Sequence, residues 1–187
     1  MKRKPGRFSL RKLNAVVTAL IMLLFAVHGV LGAFQMLGAG GTGHKRIARI
    51  MAALILVHVI IGVKYTMDSL KVQRKTGTAY FKENRLFWAR RISGLSVMVF
   101  MFFHMSSFTT AVDGQTRLLP FNGFRLALQI LLVLSLAVHI ISNVKPLLIS
   151  FGVKRLRERA FDILFVVSVL LLFMAGGFAV YYLRWRL

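Results

Sequence analysis

At 187 residues, with 57% hydrophobic and 17% charged side chains, the chain carries more apolar surface than one soluble core of its size can bury. Its 26 lysines and arginines against 5 acidic residues would suit nucleic acid on a soluble domain, but here they fall between long apolar runs, a pattern of membrane topology and anionic lipid. The lack of cysteine excludes disulfides, thiolate metal sites and iron–sulfur clusters held by this chain.

Five apolar runs are each long enough to cross a bilayer, and none alternates as a strand. They predict an all-α membrane protein: a single transmembrane domain over 1–187, built as a five-helix bundle with spans near 14–37, 47–69, 89–112, 123–144 and 161–183. The first run follows six basic residues, as a signal peptide would, but it is longer than an h-region and holds His28, so it reads as a helix. Beyond it, Gly38-Ala39-Gly40-Gly41-Thr42-Gly43 fits G-x-G-x-x-G literally. That fingerprint needs a preceding strand in a soluble βαβ unit; after a membrane helix it reads as a helix stop and loop. The second run holds His58 and Lys64, the one charge within the span cores Ala15–Leu37, Ile50–Met67, Ile92–Val112, Leu126–Val144 and Ile163–Leu183. The third is entered through Arg90 and Arg91 and holds His104. The fourth holds His139, and the fifth holds no histidine. Pro5, Pro120 and Pro146 all fall outside the span cores.

The N-terminal tail and the second and fourth connections carry 18 of the 26 basic residues, and the opposite side carries 7. This asymmetry predicts a cytoplasmic N-terminus and an external C-terminus.

The histidines carry the chemistry. An imidazole in a bilayer is costly and calls for a specific partner. Histidine is a regular axial ligand of haem iron, two from facing helices make a low-spin electron carrier, and bundle cores house such cofactors. Depth suggests the pairing. His28 lies 13 residues beyond Ala15 and His104 lies 12 beyond Ile92; His58 precedes Met67 by 9 and His139 precedes Val144 by 5. His28 and His104 therefore form an outer pair, and His58 and His139 an inner pair, offset by roughly 8 Å at helical rise. Gly32 and Gly62 each follow a histidine by four residues, where a missing side chain lets a porphyrin approach. Lys64 and Lys145 each follow an inner histidine by six, within reach of haem propionates; Lys64 can equally snorkel to the inner surface. The bland alternative is that each histidine bonds a neighbouring helix. His44 reads as solvated loop.

The stretch Phe87–Met105, FWARRISGLSVMVFMFFHM, carries an R-x-S-G element at Arg91, Ser93 and Gly94, followed by His104. It resembles the cytochrome b membrane anchor of succinate:quinone oxidoreductases and quinol:fumarate reductases. The whole chain resembles the single-subunit, dihaem class, with histidines on its first four helices and none on the fifth. The resemblance implies two haems b, quinone as substrate, and cytoplasmic iron–sulfur and flavoprotein subunits as partners. It also implies a prokaryotic cytoplasmic membrane, and a part in an oxidoreductase complex without the dicarboxylate site. In that family the first and third histidines share one haem and the second and fourth the other. Arg91, Ser93, Gln35 and Asp113 are the quinone-site candidates; Arg90 and Arg91 equally read as a solvated stop signal or as contacts for a haem propionate or the iron–sulfur partner, and Ser93 reads as readily as a small packing residue. The chain departs from members with membrane glutamates, since Glu83 and Glu158 fall in cytoplasmic connections.

Other dihaem cytochromes fit less well. The ascorbate-linked type flanks its histidine helices with one more at each end, and the anchors of hydrogenase or formate dehydrogenase place two histidines on one helix. A non-redox membrane subunit with packing histidines is the alternative from a different class.

Overall fold

The computed structural model describes residues 9–39, 45–77, 84–112 and 115–184. Within them run five helices: α1 (Leu10–Met36), α2 (Lys45–Thr76), α3 (Arg85–Phe108), α4 (Gly123–Ser150) and α5 (Leu156–Arg184). Their lengths, from 24 to 32 residues, correspond to roughly 36–48 Å at 1.5 Å per residue, against about 30 Å of hydrocarbon. All five are long and apolar enough to cross a membrane.

Local signals fix the helix ends. Ser9 caps α1 by accepting from the Lys12 amide at 3.3 Å, and Asn122 caps α4 by accepting from the Arg125 amide at 2.8 Å. Each occupies one of the amides a helix start leaves unpaired. Gly38, with φ of +85°, follows the end of α1, so this glycine is the helix stop its motif suggested; Gly40–Gly43 lie outside the described residues, as does His44.

The third span differs from expectation. α3 stops at Phe108, and Thr109–Val112 form β1, paired antiparallel with β2 (Gln115–Leu118). The β-branched run Thr109-Thr110-Ala111-Val112 has the composition of a strand, and an apolar count alone cannot separate it from the last turn of a helix.

The helices pack as two antiparallel pairs, α1 with α2 and α3 with α4, and α5 lies against both α1 and α4. At the end of the bundle that carries the hairpin, Ala33, Met36, Phe121, Phe178 and Tyr181 form a buried cluster. The Tyr181 hydroxyl donates to the Leu119 carbonyl at 3.0 Å, which pins α5 to the segment entering α4. Small residues let α5 approach α1: a side chain at Gly177 would stand 3.4 Å from Ala33 Cβ, and Gly29 lies under Met174. Most other large apolar side chains face outward, Phe165 and Leu172 at 71% and 72% exposure, as expected of surface solvated by lipid.

Pro146 lies inside α4, because the helix runs on past the apolar core to Ser150. A proline cannot donate to the carbonyl four residues back, which here belongs to Ser142. Arg90 of α3 donates its Nε–H to that carbonyl at 2.9 Å. A neighbouring helix thus satisfies the acceptor that proline frees, and α3 is locked to α4 in register. Replacing Arg90 with leucine should cost about 1–3 kcal/mol, the range for a buried acceptor left unmade. In a Pro146→Ala background, where the new residue supplies its own amide, the cost should shrink. Unfolding of all four proteins in detergent gives the coupling; equal losses in both backgrounds would refute this role.

Candidate functional site: two facing histidine pairs

The four span histidines meet in two pairs. The rings of His28 (α1) and His104 (α3) lie with centroids 6.2 Å apart at an interplanar angle of 74°. Those of His58 (α2) and His139 (α4) lie 6.3 Å apart at 87°. The helices that share a pair are not packed neighbours: α1 packs on α2, α4 and α5, and α3 on α4. Each pair therefore joins helices across the bundle interior.

At three of the four rings the hydrogen bonds bear on which nitrogen carries the proton. His58 Nδ1 lies 3.1 Å from Asn14 Oδ1 and 3.2 Å from Thr18 Oγ1. The Thr18 hydroxyl spends its own proton on the Asn14 carbonyl at 2.8 Å, so both oxygens accept and Nδ1 donates. His139 Nδ1 lies 3.2 Å from Ser93 Oγ, whose proton goes to the Arg90 carbonyl at 3.3 Å. His104 Nδ1 donates to Gln129 Oε1 at 2.8 Å. All three rings are Nδ1–H tautomers, which leaves the lone pair on Nε2. An oxygen holding one nitrogen, with the lone pair on the other, is the arrangement of metal-ligating histidines.

The donor set fits haem. Two imidazoles on one iron put their ring centres roughly 6 Å apart, from two bonds of about 2 Å and two ring radii of about 1 Å. Both observed separations match. Each pair brings two imidazoles together, the donor set of an iron whose other ligands come with its macrocycle; among the described residues no three His, Cys, Asp or Glu side chains converge on a metal position. A side chain added at Gly32 or Gly62 would meet nothing within 4 Å, so both positions leave room against their helices. Gly94 serves another purpose: a Cβ there would stand 3.2 Å from the His139 ring, so this glycine lets that ring lie against α3.

The bonds also measure the distance between levels. On α1, Thr18 serves one pair and His28 the other, ten residues apart; on α4, His139 and Gln129 are also ten apart; on α3, Ser93 and His104 are eleven apart. Three helices thus give roughly 15 Å at 1.5 Å per residue, about twice the offset counted from the apolar runs. That count takes Met67 and Val144 as one membrane level with Ala15 and Ile92, whereas α2 runs on to Thr76 and α4 to Ser150.

The remaining candidates fall in several places. Ser93, 5% exposed, also lines a groove of about 380 Å³ between α3 and α4, with Arg85, Ser96, Ser135 and Val138. Arg91 is half-buried with its guanidinium 5.2 Å from the Phe87 ring centre; its Nε is buried without a hydrogen-bond partner, and its charge acts on both His58 and His139. Lys64 and Lys145 are exposed, directed away from the interior. Gln35 is half-buried in the last turn of α1. Asp113 lies outside the described residues. Sequence reasoning missed Asn14, Thr18 and Gln129, although each is a polar residue in an otherwise apolar run. The fifth helix takes part indirectly: Phe178 meets the His104 ring edge-on at 6.3 Å.

No protein-family model, curated protein or solved structure matches this chain.

Asn14 holds His58 Nδ1 through its Oδ1 at 3.1 Å, so Asn14→Leu should destabilise the protein by about 1–3 kcal/mol and weaken hold on the His58 tautomer. Thr18→Val should cost less, since the asparagine oxygen remains. Thermal unfolding in detergent checks the order; a larger loss for Thr18→Val would reverse the assignment of acceptors.

Proposed function

We propose that this chain is a dihaem cytochrome b, the membrane anchor of a succinate dehydrogenase or fumarate reductase, passing electrons between a cytoplasmic iron–sulfur subunit and membrane quinone. The observation that carries the reading is the pair of facing histidine sets, with ring centres 6.2 Å and 6.3 Å apart, each spanning two helices. His28 and His104 would hold the outer haem, and His58 and His139 the inner one. A haem b held by two histidines supplies a low-spin one-electron carrier.

The chain's own residues have defined tasks in this reading. Asn14, Thr18, Ser93 and Gln129 hold their histidines by Nδ1, so that Nε2 would be free to bind the iron. Arg91, half-buried beside the inner pair, is better disposed to meet an inner propionate than the exposed Lys64 or Lys145. Fork-shaped guanidinium suits carboxylate. Gly32 and Gly62 leave space for the macrocycle.

With the basic excess on the cytoplasmic side, the N-terminus lies inside, in a prokaryotic cytoplasmic membrane. The basic connection over 70–91 then faces the iron–sulfur subunit, which in turn binds the flavoprotein, and its charge steers an acidic partner. The α3–α4 groove, with three serine hydroxyls and Arg85 on an apolar wall, favours a quinone site at the inner level over one at Gln35 or Asp113. Glu158, exposed and paired with Arg155 at 3.6 Å, is no candidate for quinol chemistry within the membrane.

Purified in detergent after expression with haem supply, the protein should hold two haems b per chain by pyridine haemochrome, with bis-histidine spectra. His104→Ala should lose the outer haem and keep the inner. A folded protein without haem would reduce the histidines to packing residues, and loss of the inner haem alone in the variant would overturn the pairing.

A further inference from the structure

Gln129 is fully buried, with no exposure at all, in the second turn of α4. Its Oε1 accepts from His104 Nδ1 at 2.8 Å, while its Nε2 is buried without a hydrogen-bond partner. Neighbouring buried positions on the same helix are leucines, Leu128 and Leu132. An amide with one half unpaired is an expensive way to fill such a place, and an apolar side chain of the same length would fill it more cheaply. What the glutamine brings is its oxygen.

The two levels are held differently. At the inner level the acceptors are the half-buried Asn14–Thr18 pair and Ser93. The Thr18 and Ser93 hydroxyls pass their own protons to backbone carbonyls. At the outer level the amide oxygen that holds His104 Nδ1 is sealed inside the protein. An acceptor on Nδ1–H raises the basicity of the nitrogen across the ring, and burial makes that hydrogen bond electrostatically stronger.

Resting on the dihaem reading, we infer that Gln129 is the positioning residue of the outer haem: it fixes His104 with Nε2 toward the iron and sets that haem's reduction potential independently of the inner one. α4 then serves both levels, His139 as a ligand at one and Gln129 as the support of a ligand at the other.

The test uses the full chain, haem-loaded in detergent, as wild type, Gln129→Met and Gln129→Glu. Methionine keeps length and removes the acceptor; glutamate restores an oxygen. Haem per chain, both midpoint potentials and the low-spin electron paramagnetic resonance signals are measured. Gln129→Met should raise one potential and change one low-spin signal, or lose that haem alone. Gln129→Glu, at alkaline pH, should bring the same potential to the wild-type value or below it. The other haem should not change in either variant. A Gln129→Met protein with two haems and both potentials and signals unmoved overturns the inference, as does an equal shift of both haems. Should Gln129→Met not fold, Gln129→Glu decides: an outer potential above that of the wild type overturns it. Absence of haem from the wild type would instead sink the proposed function, a separate outcome.

Discussion

An imidazole placed among lipid-facing helices must find polar partners, because no water is there to supply them. That constraint organises this bundle. The hydrogen bonds that hold three of the histidines cross from one helix to its packed neighbour: Asn14 and Thr18 on α1 hold His58 on α2, Ser93 on α3 holds His139 on α4, and Gln129 on α4 holds His104 on α3. The polar bonds therefore tighten two antiparallel pairs, α1–α2 and α3–α4. The ring-to-ring pairs run the other way, from one helix pair to the other.

This division explains the role of α5. It has no histidine, yet it packs on both α1 and α4 and carries much of the buried apolar surface, including Val167, Leu171, Met174 and Phe178. By contrast α2 buries a single apolar side chain, Ile61, and α3 buries only Ser93 and Ser107 among its described side chains. Apolar packing thus joins the two helix pairs along the α5 side. Away from α5, the two helix pairs bring the histidine rings of each level to 6.2 Å and 6.3 Å between centroids. In the dihaem reading the cofactors would staple the two halves there, so that binding free energy would also be folding free energy.

The histidine pairing is legible in the sequence because one histidine stands in each of four apolar runs. A depth count needs only the helical rise to match His28 with His104 and His58 with His139. The spacing between levels is not legible, because the edge of an apolar run is a poor membrane marker when helices continue into basic connections, as α2 does to Thr76. The supporting residues are harder still. Gln129 is ten residues from the nearest histidine on its own helix, and its partner is on another chain segment. Its one sequence signal is that it stands alone as a polar side chain within Leu126–Leu134. The end of α3 escapes a sequence reading for a related reason: Thr109–Val112 continue the apolar run, and only the pairing with Gln115–Leu118 identifies them as a strand.

Two adjacent arginines illustrate how position divides chemistry between like residues. Arg90 and Arg91 stand about 100° apart around α3. Arg90 turns toward α4 and spends its Nε–H on the carbonyl that Pro146 frees, so its charge serves the register of two helices. Arg91 turns toward Phe87 and keeps its Nε buried without a hydrogen-bond partner, with its charge felt at His58 and His139. A half-buried guanidinium with an unmade hydrogen bond is poorly compensated by a ring face alone. An anion at the inner level would supply what is missing, and a carboxylate matches the guanidinium fork best. The lysines that sequence spacing puts forward for that task lie on the exposed surface, where lipid head groups can serve them. A planar guanidinium, unlike an ammonium, can lie over the Phe87 ring and still donate from its edge.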